Sequence, residues 1–183
     1  KAVGLDSVEA QTLYRIPSGW GECDRVLGGG IVPGSILLLG GDPGVGKSTL
    51  VLEMLCYLGG EQKKALYVTG EESLEQVAMR AERMGLNRAN TLILPATDVG
   101  QIIEQIQETH AQVVVIDSIQ TMASAELSQA AGSVSQVREC AMQLTHLAKQ
   151  EAVTILIIGH VTKDGNVAGP RVPLLLQRFR FWA

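Results

Sequence analysis

SILLLGGDPGVGKS, Ser35 to Ser48, is the stretch on which the reading of this chain turns. Ser35–Leu39 is a short apolar run of the kind that forms a buried strand. Gly41–Ser48, GDPGVGKS, then fits the pattern G-x-x-x-x-G-K-[ST]. A helical pattern, Lys47–Leu58, follows without a break. Strand, glycine-rich turn and helix in that order make a phosphate cradle, because glycine lets the backbone curl until several N–H groups point inward at an anion. Gly41, Asp42, Pro43, Gly44, Val45, Gly46, Lys47, Ser48 and Thr49 are therefore expected to bind a nucleotide, ATP. Lys47 is placed against the β- and γ-phosphates, and Ser48 offers its hydroxyl to Mg²⁺. Thr49 lies beside the cradle, toward the α-phosphate.

Outward from the cradle, apolar bursts alternate with amphipathic stretches. Ala65–Thr69, Val113–Ile116 and Thr154–Ile158 read as further buried parallel strands, and Thr91–Leu94 as a weaker fifth. Helical patterns cover Leu74–Met84, Val99–Thr109 and Val134–Lys149, and Gly85 supplies a stop for the first of these. This alternation implies βαβ units with right-handed crossovers. The expected fold is α/β, a mostly parallel central sheet with helices on both faces. Ala123–Ser135 is small, polar and unpatterned, and reads as a mobile loop. Met122, Met142 and Leu144 are expected in the core, Arg138 in solvent or between subunits. Trp20 is expected to pack on the domain, with adenine stacking as the alternative.

Composition narrows the class. The 183 residues suffice for one domain with a sizeable core, and 46% hydrophobic residues with only 4% aromatics and 20 glycines suit an aliphatic sheet with glycine-rich turns. A net charge of −4 excludes a generally basic surface, so any nucleic-acid contact has to be local or shared among several chains. Cys23, Cys56 and Cys140 are scattered, with no C-x-x-C, so neither zinc nor a disulfide framework is indicated and buried thiols are expected. No apolar run approaches the roughly 20 residues of a membrane span, and the start of the chain carries no secretory signal pattern. The expectation is a cytoplasmic protein with no membrane contact.

Two acidic features sit at strand ends. VVVID, Val113–Asp117, closes an apolar strand on an aspartate, where P-loop enzymes hold Mg²⁺ through water. TGEES, Thr69–Ser73, puts two adjacent glutamates after another strand. A carboxylate there can orient and polarise an attacking water, and Glu71 is the first candidate, Glu72 the second. The alternative is that these acids only favour the dipole of the next helix, and both can hold together.

In this order the pieces resemble the RecA-type ATPase core, and more specifically the ATPase domain of the bacterial RadA (Sms) DNA-repair family. The resemblance rests on DRVLGGGIVPGSILLLGGDPGVGKSTL (Asp24–Leu50), LYVTGEESLEQVAMRAERMGL (Leu66–Leu86), VIDSIQTM (Val115–Met122), GSVSQVREC (Gly132–Cys140) and GHVTKDGNVAGPR (Gly159–Arg171). It runs from about Ile16 to Arg171. It implies that the strand ending at Gly159 lies between the cradle strand and the Asp117 strand, and that His160 senses the γ-phosphate. It implies that the loop from Val161 to Arg171 faces the channel of a ring, with Lys163 and Arg171 on single-stranded DNA. The polar stretch after Asp117 would join it there. The implied protein is a DNA-dependent ATPase of recombinational repair, a homo-oligomer assembling as a hexameric ring, that moves on single-stranded DNA and drives branch migration of recombination intermediates.

The chain departs from that family pattern. The stretch read here includes neither the family's N-terminal four-cysteine zinc finger nor its C-terminal Lon-like domain, and VPLLLQRFRFWA (Val172–Ala183) stands where the family continues toward its KNRFG interface motif. The expected organisation is a linker over 1–15, an ATPase domain over 16–171 and an atypical tail over 172–183. Two rival readings follow. One is a KaiC-like RecA-fold regulatory ATPase acting on protein partners, which shares the double glutamate. The other is a truncated nucleotide-binding core with little turnover.

Overall fold

A computed structural model describes residues 14–60 and 63–160. Lys163, Arg171, the tail over 172–183 and most of the linker over 1–15 lie outside the described residues. Five strands form one sheet: β1 (Ile36–Gly41), β2 (Ala65–Thr69), β3 (Thr91–Pro95), β4 (Val113–Asp117) and β5 (Thr154–His160). Their spatial order is β1-β5-β4-β2-β3, with every neighbouring pair parallel. The strand ending in Gly159 and His160 thus lies between the cradle strand and the aspartate strand, as the resemblance implied.

The helices are α1 (Gly21–Val26), α2 (Lys47–Gly60), α3 (Leu74–Arg83), α4 (Val99–Thr109) and α5 (Val134–Glu151). They cover both faces because alternate residues of each strand point opposite ways. Tyr67, Val113, Val115, Leu156 and Ile158 join a core with Leu55 and Leu58 of α2 and Val77 of α3. Leu66, Val68, Val114, Ile116, Ile155 and Ile157 join another with α4 and α5. Each fully buried aliphatic or aromatic side chain contributes about 1.5–3 kcal/mol. Strands β2 and β4 have no exposed position, which is why they read as continuous apolar runs rather than alternating ones.

Local signals fix the ends. Ser73 and Gln76 form a reciprocal capping box at the start of α3. Gly85, at φ +66°, closes the same helix, with its N–H on Glu82 O (2.9 Å) and the Leu86 N–H on Ala81 O (3.0 Å). The side chains of Asp98 and Ser133 accept from the amides of Gln101 and Gln136 to cap α4 and α5. Helix α1 is not anticipated by apolar periodicity, for it is six residues long and buries only Cys23. Trp20, just before it, packs against the α2-side core.

Two expectations need correction. Met142 is 54% exposed rather than core, because the buried stripe of α5 runs through Val137, Cys140, Ala141, Leu144 and Ala148, and Met142 projects off it. The stretch Ala123–Ser135, read as a mobile loop, is tied to α5 by Gln136, which is 1% exposed. The Gln136 amide oxygen accepts from the Ser124 N–H (2.8 Å), and its NH₂ donates to the carbonyls of Ser124, Leu127 and Gln129. Gln136→Ala would strip the partners from these groups and is expected to cost about 2–3 kcal/mol. Thermal unfolding should then shift down by roughly 4–12 °C, and an unshifted Tm would show the loop to be held by other means.

Cys23, Cys56 and Cys140 are buried free thiols, in line with the sequence. Burial raises all three, Cys140 to about 11, so Cys140 carries no thiolate at neutral pH. Among the described residues no helix is long and apolar enough to cross a membrane.

Candidate nucleotide site

The carboxyl ends of the strands gather the predicted residues. β1 ends at Gly41 and β5 at His160, and the two are paired in register. On the other side of β5, β4 ends at Asp117, which pairs with Thr69 at the end of β2. Glu71 and Glu72 follow two and three residues later. The sheet therefore lays the cradle, His160, Asp117 and the glutamate turn in a row along one edge.

The cradle fits a polyphosphate. Gly44 and Gly46 have φ of +81° and +88°, in the left-handed region that favours glycine, and a Cβ at either would meet nothing within 4 Å. The turn is thus curled, with open space in front of it. Leu50 is the first α2 residue whose amide reaches a carbonyl of the turn, Gly46 O at 3.0 Å. The amides of Lys47, Ser48 and Thr49 precede it as the free N–H groups of a helix start, which carries a partial positive charge.

Lys47 is 7% exposed, and its ammonium donates to Gly41 O (2.8 Å) and Asp42 O (2.7 Å). Burial lowers its pKa, and the carboxylates of Asp117 and Asp42 pull the other way. The charge of Lys47 is thus close enough to feel Asp117, across the intervening strand. Ser48 is half-buried at the helix start. Ser48 and Asp117 suit Mg²⁺, which keeps several waters and takes one or two protein oxygens beside phosphate. Among the described residues no cluster of three or more His, Cys, Asp or Glu forms a closed metal cage.

Asp117 accepts a hydrogen bond at Oδ2 from the Tyr67 hydroxyl. Tyr67 is wholly buried, and burial with the neighbouring Asp117 carboxylate drives its pKa far up, so it remains a hydroxyl and a donor. Arg80 of α3 donates to the Tyr67 oxygen (3.1 Å) and pairs with Glu72 (2.7 Å). The structure thus separates the two glutamates. Glu72 is engaged by Arg80, whereas Glu71 is exposed at the turn. The turn is set by Thr69, whose hydroxyl accepts from the Glu72 N–H (2.9 Å) and donates to Glu72 O (3.1 Å). Gly70 is needed here because a Cβ would lie 2.0 Å from the Thr121 hydroxyl oxygen, and its N–H bonds Asp117 O (3.0 Å). Strand ends β2 and β4 are drawn together through that glycine.

His160 is half-buried; the Gln120 side-chain NH₂ donates to its carbonyl at 3.2 Å. His160 Nδ1 and Gln120 Oε1 are buried with no hydrogen-bond partner among the described residues. Tyr67, Arg80 and Gln120 were not anticipated as part of the site. A cleft of about 460 Å³ lies at the opposite end of the sheet, lined by His110, Gln112, Val113, Val153 and Thr154, and contains none of the cradle residues. A phosphate cradle is an open turn, so the site follows the backbone geometry and not the cleft.

Fold and site together define a RecA-like P-loop ATPase core, and the chain belongs to the AAA domain family, whose model matches residues 21–166. It is similar to DNA repair protein RadA of Salmonella typhimurium, 54% identical over 172 residues, and of Escherichia coli, 52% identical over 172 residues; both matches cover 94% of this chain and 37% of the relative. RadA of Bacillus subtilis is 47% identical over 168 residues, covering 92% of this chain and 37% of the relative. The likeness to the RadA ATPase domain read from the motif blocks is borne out. The chain spans a little over a third of the length of these curated relatives.

Proposed function

We propose that this chain is the ATP-hydrolysing domain, over 16–171, of a cytoplasmic DNA-repair ATPase that moves on single-stranded DNA and drives branch migration of recombination intermediates as a hexameric ring. The observation that carries the nucleotide half of the reading is the row of Gly41, His160, Asp117 and Thr69 along one sheet edge, with the cradle curled at its end. Similarity to proteins named for DNA repair supports the other half.

The residues divide the work. Cradle amides and Lys47 hold the triphosphate, and Lys47 exchanges the carbonyls of Gly41 and Asp42 for phosphate oxygens. Mg²⁺, held by Ser48 and through water by Asp117, would draw charge from the phosphates. Glu71 orients and polarises the water that attacks the terminal phosphorus, giving ADP and phosphate. His160 reports the presence of the γ-phosphate to the segment that follows it. Lys163 and Arg171, outside the described residues, would place their charges on DNA phosphates. Because β5 leads directly into that segment, nucleotide state and DNA grip are linked through one strand end.

The test is ATP hydrolysis by this chain with and without single-stranded DNA. Stimulation by DNA supports the coupled motor. ATP binding without turnover would leave a nucleotide-holding core, and turnover indifferent to DNA would favour a regulatory ATPase acting on proteins. For the DNA contact, Lys163→Ala is expected to weaken binding while leaving ATP binding intact. It should reduce the log–log salt slope by about 0.7, one phosphate contact on a single strand. An unchanged affinity and slope across a salt series would remove Lys163 from the interface.

A further inference from the structure

Strand β2 carries a residue beside Asp117 to which no motif assigns a role. Tyr67 lies two residues before Thr69 on the face that packs against α2 and α3, and is wholly buried. Its hydroxyl donates to Asp117 Oδ2. The oxygen of that hydroxyl accepts from Arg80 Nη2 at 3.1 Å, and Arg80 Nη1 lies 2.8 Å from Glu72 Oε1 and 2.7 Å from Oε2. The donors and acceptors alternate from end to end, so every bond has one proton. A carboxylate with one oxygen bound by a buried phenol cannot rotate freely, and its other oxygen is left in a fixed direction.

We propose that Tyr67 is a positioning residue for metal binding at Asp117, and that the Arg80–Glu72 pair holds Tyr67 in the orientation that does this. The inference rests on the reading of Asp117 as the acid that serves Mg²⁺ and adds to it the group that aims that acid. Outer partners that orient a ligand carboxylate typically change metal affinity by about 10–100-fold when removed. The Arg80–Glu72 pair, with side chains 13% and 36% exposed, reaches Asp117 only through Tyr67, so the hydroxyl is expected to matter more than the pair.

The experiment is a Mg²⁺ titration of the binding of a non-hydrolysable ATP analogue to the 183-residue chain, comparing wild type with Tyr67→Phe, Arg80→Met and Asp117→Asn. Tyr67→Phe is expected to raise the Mg²⁺ concentration at half-maximal binding by about 10–100-fold, with binding in the absence of Mg²⁺ unchanged; Arg80→Met is expected to raise it less. A purely structural role for the hydroxyl would lower the melting temperature and leave the Mg²⁺ dependence where it was. If Asp117→Asn shifts the titration and Tyr67→Phe does not, the positioning role is overturned and the metal reading stands. If Asp117→Asn shifts nothing, the metal reading itself fails and the inference falls with it. Should Tyr67→Phe not fold, an unshifted titration in Arg80→Met overturns the proposal.

Discussion

Lys47→Ala is expected to abolish nucleotide-dependent activity, with turnover lowered by at least about 10²–10³-fold, the range seen when one preorganised charge-stabilising donor is removed. The size follows from the position. Lys47 is the buried cation of the cradle, held at its mouth by Gly41 O and Asp42 O. Alanine leaves the helix intact, since it is the best helix former, and leaves the amides of the turn in place. The loss should therefore appear without unfolding. Circular dichroism and ATP binding measured beside the hydrolysis rate would separate the two. Normal turnover in this variant would remove the phosphate-cradle assignment altogether.

Glu71→Gln is expected to bind ATP as the wild type does and to hydrolyse it roughly 10²–10⁴ times more slowly, the range for removal of a positioned general base. Any stimulation by single-stranded DNA should disappear with it. The geometry makes the neighbouring residue the control. Glu72 is occupied by Arg80, so Glu72→Gln should act through the arrangement of Tyr67 and Asp117, altering Mg²⁺ dependence more than the maximal rate. Equal losses in kcat for both variants, at saturating Mg²⁺, would mean that the division between the glutamates is wrong. Full activity in Glu71→Gln would move the base elsewhere.

How far the sequence carries the reader differs by the kind of signal. The strands were legible because Leu66–Val68 and Val113–Ile116 are buried on both faces and so form unbroken apolar runs. The cradle was legible because its chemistry is local: eight consecutive residues contain the turn, the cation and the hydroxyl. Asp117 and Glu71 were legible as strand-end acids. Tyr67 was not, for within ALYVT it looks like one more buried aromatic. Its hydroxyl acquires meaning only when β4 docks beside β2 and brings Asp117 to it. Arg80 likewise sits in an amphipathic helix where an arginine ordinarily means solvent. Gln136 shows the same limit from the other side, because composition marks Ala123–Ser135 as loose and a single buried amide, placed by the next helix, gathers it up. Pairings distant in sequence leave no periodic trace.

The sheet order β1-β5-β4-β2-β3 also governs when the site can exist. β1 carries the cradle and β4 the aspartate, yet the two do not touch; the strand that joins them is the last described in the chain. During synthesis the ribosome delivers both halves of the nucleotide site long before the strand that seats them side by side. Closing that gap requires contacts of large sequence separation, which form slowly. A nascent chain stopped before Thr154 is accordingly expected to hold no nucleotide, and binding should switch on only once His160 has left the exit tunnel. The nucleotide is then a ligand of the finished sheet, and its arrival certifies that the strand between β1 and β4 has been threaded into place.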